Sequence, residues 1–343
     1  MRKPGHTLRS LAGAAALGAV AFAAVPAVAE SLDELAAKAA GEGEIVWYEA
    51  NSSEMGDKLT AAFAKQFPKV KLRFQSIAGA QGITARIVQE SEAKAATADV
   101  TTTGIDQIYA LSKRGLTESI DWSPYGVPKA LTPEPYAVAT TAAIWVIVYN
   151  KNKVPAADAP KSWEDLADPK WKGKLGLWAI GHSQANLAAG WGEPRTQAWM
   201  ETLVKQQPLL YKSNFTIAQH LASGELSVGI TPLHVAKSTA EKGAPIAIVA
   251  AEPTPLSMIY SAVIKGTKRP NGARLLVAWL SSKDGALAYE KATERGNPYL
   301  DFTESAQFLK GRKLSTFAPQ DTEKLQALIT KYTGMLRSAG AAR

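Results

Sequence analysis

The sequence predicts an α/β protein built from two sheet units, and two observations carry that expectation. Apolar strand, small polar loop and amphipathic helix follow one another three times between residues 44 and 115, and the same alternation returns between about 140 and 252. Strands that alternate with helices favour a parallel sheet covered on its faces. Length agrees, because about 310 residues remain after an N-terminal leader and carry enough apolar content for two domains of ordinary size.

Residues 1–29 read as a cleavable secretory leader. Arg2, Lys3 and Arg9 precede an alanine-rich apolar run at 11–25, and Ala27-Val28-Ala29 offers a small-x-small cleavage site before Glu30. The run is short of the ~20 residues of a membrane span. The mature chain is expected to be exported. It contains no cysteine, which excludes disulfides, thiolate catalysis, thiolate metal sites and a lipidated cysteine at the cleavage point. Of the formal charge of +8, three positive residues fall in the leader, and the remaining lysines and arginines are scattered. A nucleic-acid partner would want them gathered into a stripe, so none is expected.

The elements follow in order. Residues 44–48 form a short apolar strand, Asn51-Ser52-Ser53 a polar cap, and the helix after it presents Met55, Leu59, Ala62 and Phe63 before Pro68 stops it. A strand at 70–74, the small-residue loop 77–82 containing Gln81 and a helix with Ile83, Ile87 and Val88 come next. The strand 98–101 leads through Thr102-Thr103-Gly104 into a helix closed by Gly115. Residues 121–135 are turn-rich, and 143–149 form a strongly apolar strand.

Residues 158–178 then read as a stop at Pro160, a short helix capped by Ser162 with Asp165 reaching back, a break at Asp168-Pro169, and a strand from Leu175. Trp163, Trp171 and Trp178 are expected to give this connector a small core. The second unit continues with Gly181-His182-Ser183-Gln184 before a helix, Ser213-Asn214 capping another, a strand at 226–230 with the exit loop Thr231-Pro232-Leu233-His234, and a strand at 245–250. On pattern the remainder rejoins the first unit: a strand at 258–264 and three helices, the last with an apolar stripe from Leu325 to Leu336 expected on the domain core.

Ligands of open α/β sheets bind beyond the carboxyl ends of the strands. Here those loops are small or hydroxyl-bearing and open helices, whose free N–H groups and dipoles suit an anionic group. Gly181-His182-Ser183-Gln184-Ala185 resembles a nucleophile elbow and makes a serine hydrolase using Ser183 a remote alternative, although His220 and His234 alone could follow as base. His182, His234 and Glu49 are too dispersed to argue metal ligation by spacing, and no cofactor or metal is expected.

The motifs Val146-Ile147-Val148-Tyr149-Asn150, Pro160-Lys161-Ser162-Trp163-Glu164-Asp165-Leu166, Asp168-Pro169-Lys170-Trp171-Lys172-Gly173-Lys174 and the unit 218–231 identify the resemblance. The chain is similar to the bacterial extracellular solute-binding proteins of family 1, in the branch around the ferric-iron-binding periplasmic proteins. That resemblance implies a type II periplasmic binding fold: two α/β domains joined by a two-strand hinge, with a ligand cleft between them. Domain I would comprise 30–139 and 254–343, and domain II 140–253. It also implies a monomer in the periplasm that closes on a small-molecule solute and passes it to an inner-membrane ABC permease.

The chain departs from the iron branch. Where those relatives carry adjacent tyrosines it has Thr231 to His234, and where several carry Arg-x-Arg it has Ala143-Ile144-Trp145. A small organic, anionic solute is therefore the first expectation, and ferric iron held without tyrosines the second. The expected contacts are Tyr48, Asn51, Ser52, Gln81, Thr103, Trp145, His182, Ser183, Ser213, Asn214, Thr231 and His234, with Trp145 equally readable as core.

Overall fold

A computed structural model describes residues 30–339, Met1 and the pair 341–342; apart from Met1, the expected leader lies outside the described residues. In the first lobe α1 (Leu32–Ala39) leads into β1 (Ile45–Glu49), α2 (Ser53–Gln66), β2 (Leu72–Ser76), α3 (Ala80–Glu92), β3 (Val100–Gly104) and α4 (Ile105–Lys113). Then β4 (Val138–Asn150) crosses to the second lobe. That lobe adds β5 (Leu175–Trp178), α5 (His182–Trp191), α6 (Glu193–Leu203), β6 (Leu209–Tyr211), α7 (Asn214–Ser223), β7 (Val228–Pro232), α8 (Leu233–Glu241) and β8 (Ile246–Val249). The chain returns along β9 (Thr254–Val263) and ends with α9 (Pro270–Ser281), α10 (Lys283–Thr293), α11 (Glu304–Leu309), β10 (Leu314–Ser315) and α12 (Thr322–Ala339).

The strand order is β2-β1-β3-β9-β4 in the first lobe and β6-β5-β7-β4-β8 in the second. Parallel pairing, expected throughout, holds for β2-β1-β3 and β6-β5-β7. It gives way at β9 and β4, which run antiparallel to β3 and β7. A strand arriving from the other lobe enters at the cleft end, so it must run against strands that point toward the cleft. One strand serves both sheets: Ile144 of β4 pairs with Leu256 of β9, and the next residues, Trp145 and Val146, pair with Pro232 and Thr231 of β7. The two long strands β4 and β9 are thus the connection between lobes.

The connector after β4 is held by local chemistry. Ser162 Oγ accepts from Asp165 N (3.3 Å) and the Asp165 carboxylate accepts from Ser162 N (3.0 Å), a reciprocal cap on a single 3-10 turn, Glu164–Ala167. Trp163 donates to Pro253 O (2.9 Å) at the start of the return crossing, and Trp199 donates to Trp163 O (2.8 Å). Trp178 does not join this small core. It is the last residue of β5 and faces the cleft.

The α12 stripe buries Leu328, Tyr332 and Leu336. It packs on α5 and α6 of the second lobe as well as on α4 of the first, so it spans both lobes rather than covering one core. No helix among the described residues is long and apolar enough to cross a membrane.

Candidate ligand-binding cleft

A cleft of about 380 Å³ opens where the carboxyl ends of the strands of both lobes meet, at the small end of the ~300–1,000 Å³ typical of small-molecule sites. The loops that were read separately in the sequence converge here. Gly79-Ala80 at the start of α3, Gly104-Ile105 at α4, His182 at α5 and Pro232 at α8 all line it. None of these four helices has a side-chain cap on its N-terminus. Their leading N–H groups and positive dipole ends therefore face a shared space. The fifth, α7, is capped by Ser213 Oγ, which accepts from Phe215 N at 3.2 Å.

On the first-lobe wall, the end of β1 meets the segment after α10. Arg295 Nη2 donates to Glu49 Oε1 (3.0 Å), to Asn51 Oδ1 (2.6 Å) and to Tyr289 Oη (3.0 Å). Tyr289 also donates to Glu49, and Asn51 Nδ2 donates to Glu49 Oε1 (2.7 Å). Burial pushes the Glu49 carboxyl up to about 7, against the pull of Arg295 and Tyr289. For Arg295 burial acts downward, and the Tyr289 and Glu49 partners outweigh it and keep the guanidinium charged. Arg295 Nε has no partner among the described residues.

The opposite wall is aromatic. The rings of Trp145 and Trp178 stack with centroids 5.8 Å apart, and Trp178 stacks in turn on His182 at 5.4 Å. Ser257 Oγ accepts from Trp145 Nε1 (2.9 Å) and from Asn186 Nδ2 (3.0 Å), fixing the crossing strands against α5. Burial lowers the His182 imidazole, with the Asp106 charge opposing. His234 is held well below its usual range by burial and then by the Arg295 charge. Both imidazoles are thus neutral near pH 7 and can donate or accept. At the edge, Phe215 is 48% exposed and meets His234 edge-on, with centroids 6.4 Å apart.

Of the expected contacts, Asn51, Thr103, Trp145 and His182 lie on the cleft wall, as do Ser213, Asn214 and His234. The others do not. Tyr48 is one residue out of phase: it turns to the far face of the sheet, where its hydroxyl donates to Glu90 at 3.2 Å under the Arg86 guanidinium. Ser52 is spent as the exposed cap of α2, accepting from Met55 N. Gln81 is exposed and takes no part in the wall, which Gly79 and Ala80 form. Ser183 is buried one position round the helix from His182, and its hydroxyl donates to Gln184 Oε1 (2.9 Å) rather than to a histidine. Thr231 is fully buried in β7 opposite Val146.

The cleft also contains residues that were not among the expected contacts: Glu49, Asp106, Trp178, Asn186, Lys212, Phe215, Ser257 and Arg295. Among the described residues no tyrosine lines it, and no group of three His, Cys, Asp or Glu side chains is placed to hold a metal ion. A second crevice of about 450 Å³ lies where α8 faces α11. Its Lys237 is already matched by Glu304 at 2.7 Å, and of the helix N-termini at the cleft it touches only α8, through Leu233.

Comparison with known proteins places this geometry. The family described as bacterial extracellular solute-binding protein matches residues 58–316. A Serratia marcescens Fe(3+)-binding periplasmic protein is 28% identical over 163 residues, covering 43% of this chain and 47% of the relative. The chain spans less than half the length of the curated relatives it matches. Among solved structures, the periplasmic binding protein AfuA from Actinobacillus pleuropneumoniae, with fructose-6-phosphate bound, superposes with a TM-score of 0.73 at 24% identity, over 86% of this chain and 99% of that one. Iron-bound HitA from Pseudomonas aeruginosa superposes with a TM-score of 0.66 at 20% identity, over 84% and 99%. These likenesses fix the two-domain periplasmic binding fold. By its sequence and its architecture, the chain belongs to the bacterial extracellular solute-binding protein family.

Proposed function

We propose that the protein is the periplasmic binding component of an ABC importer, capturing a small organic anion in this cleft and delivering it to an inner-membrane permease. One observation carries the reading: four helix N-termini without side-chain caps open onto one cleft beside the Arg295 guanidinium, and three of them, α3, α5 and α8, have no acid in the first turn. Oriented N–H groups and a charged guanidinium recognise carboxylate, phosphate or phosphonate oxygens. The Trp145–Trp178 face would cover an apolar part of the solute. Because β4 and β9 join the lobes and the wall is divided between them, a solute touching both walls stabilises the closed arrangement. The leader expected at 1–29 supports export to the periplasm, and the absence of cysteine supports a protein without a lipid anchor at the cleavage point.

A thermal-shift screen of small carboxylates, phosphonates and sugar phosphates tests this, since a ligand bound only by the folded state raises Tm. No response to any of them would end the anion reading. The Serratia marcescens relative favours one second reading, ferric iron. That ion prefers anionic oxygen donors, and the described wall offers carboxylates and imidazoles without a phenolate. Native mass spectrometry of the purified protein separates the two, because iron at stoichiometric occupancy would overturn the organic solute.

A further inference from the structure

We infer that the solute is a zwitterion, bearing a cationic nitrogen as well as an acid, and that Asp106 is the counter-ion for that nitrogen; this rests on the anion-binding reading of the same cleft.

The buried acids of the described chain provide the argument. Asp99 accepts from Val46 N, Thr267 and Arg269. Glu290 accepts from the backbone of Glu304 and Ser305 and from the Ser305 hydroxyl. Glu49 has Arg295, Tyr289 and Asn51. Asp106 is only 7% exposed, yet its carboxylate accepts a single bond, 2.9 Å from the side chain of its neighbour Gln107. No lysine or arginine among the described residues pairs with it. Its other oxygen, Oδ1, has no hydrogen bond among the described residues and is not one of the buried atoms left without a partner, so it is open at the cleft that Asp106 lines, where an incoming cation can reach it.

Its surroundings suit an ammonium. Thr103, 5% exposed and on the same wall, has a hydroxyl with no partner among the described residues. The Asp106 charge acts on His182, the outermost ring of the stack formed with Trp178 and Trp145. Asp106 and the rings of Trp145, Trp178 and His182 line one cleft, and a carboxylate that shares a cleft with aromatic faces can receive a nitrogen cation. The Arg295 charge acts instead on His234. The cleft therefore pairs a receptor for positive charge, Asp106 at the α4 terminus, with a receptor for negative charge, Arg295 on the first-lobe wall. The competing explanation is that Asp106 serves only the α4 dipole, since its carboxylate folds over Gly104 at that terminus.

Calorimetry on the purified protein would compare 4-aminobutanoate with butanoate, 2-aminoethylphosphonate with ethylphosphonate, and glucose 6-phosphate as a nitrogen-free anion. The expected result is that an amino compound binds about 10- to 100-fold more tightly than its nitrogen-free counterpart. Asp106→Asn should erase that difference within each pair, and Asp106→Glu should restore part of it. Equal affinity within each pair, or binding of the sugar phosphate alone, would overturn the zwitterion and leave the anion reading standing. Silence from every probe would remove both. The paired comparison in the unmodified protein decides the matter even if the variants fold poorly.

Discussion

Arg295 Nη2 donates to Asn51 Oδ1 at 2.6 Å, joining the segment after α10 to the loop after β1 on the cleft wall. The same nitrogen also donates to Glu49 and Tyr289, so three partners hold the guanidinium at the cleft. Arg295→Lys keeps a charge but loses the planar fork that can hold Asn51 and an incoming oxyanion together. The Kd for whichever anion binds should rise about 10- to 100-fold. An unchanged Kd in calorimetry would remove Arg295 from the binding surface.

Glu49 gives the protein a stability that depends on pH with a definite sign. Its carboxyl titrates near 7 in the folded chain against 4.5 as the ordinary value. The folded state binds the extra proton, so the contribution is complete below pH 4.5 and is lost as pH rises through 7. Glu49→Gln mimics the protonated form, its amide nitrogen replacing Oε2, which has no partner among the described residues. The stability advantage of the variant should be near zero at pH 4.5 and reach on the order of 3 kcal/mol by pH 8. His182 and His234, both lowered, lose stability as pH falls below 6.5, but they do so in both proteins and cancel in the comparison. An advantage that stays constant across pH would contradict the burial argument.

The stacked pair Trp145–Trp178 should report occupancy. Both rings line the cleft, whereas Trp163 is buried in the connector. Ligand binding is expected to shift tryptophan emission in the native protein. Trp178→Phe should abolish most of that shift and weaken binding up to about tenfold, whereas Trp163→Phe should leave it intact. A full response surviving in Trp178→Phe would place the solute elsewhere.

How much of this was legible depended on sequence separation. The Ser162–Asp165 cap is local chemistry and reads directly from residues three apart. The polar loops also read correctly as helix starts, because each follows an apolar strand. The Glu49–Arg295 pair spans 246 positions and leaves no local signal. Choosing Tyr48 over Glu49 fails for a different reason: β1 is buried along its whole length, so no alternation of polar and apolar residues marks which face looks at the cleft. Trp178 was miscounted with Trp163 and Trp171 because proximity in sequence says nothing about which end of β5 carries it.

The seam between α5 and α12 offers the last test, because it supports the cleft from outside. Gly181 N donates to Thr333 Oγ1 at 3.0 Å, and a Cβ on Gly181 would lie 2.8 Å from Tyr332 Cβ and 3.0 Å from Thr333 N. Only a glycine lets α12 approach so closely, and the next residue is His182, on the cleft wall. Gly181→Ala should push the helices apart, costing about 1–3 kcal/mol by chemical denaturation, and should weaken solute binding by displacing the His182–Trp178 stack. Gly82→Ala in α3 is the control: its new methyl would meet Ile77 at an ordinary 3.5 Å, so a gain of up to about 1 kcal/mol is expected there. If Gly181→Ala were as harmless as Gly82→Ala, the close approach of α12 would have no part in holding the cleft.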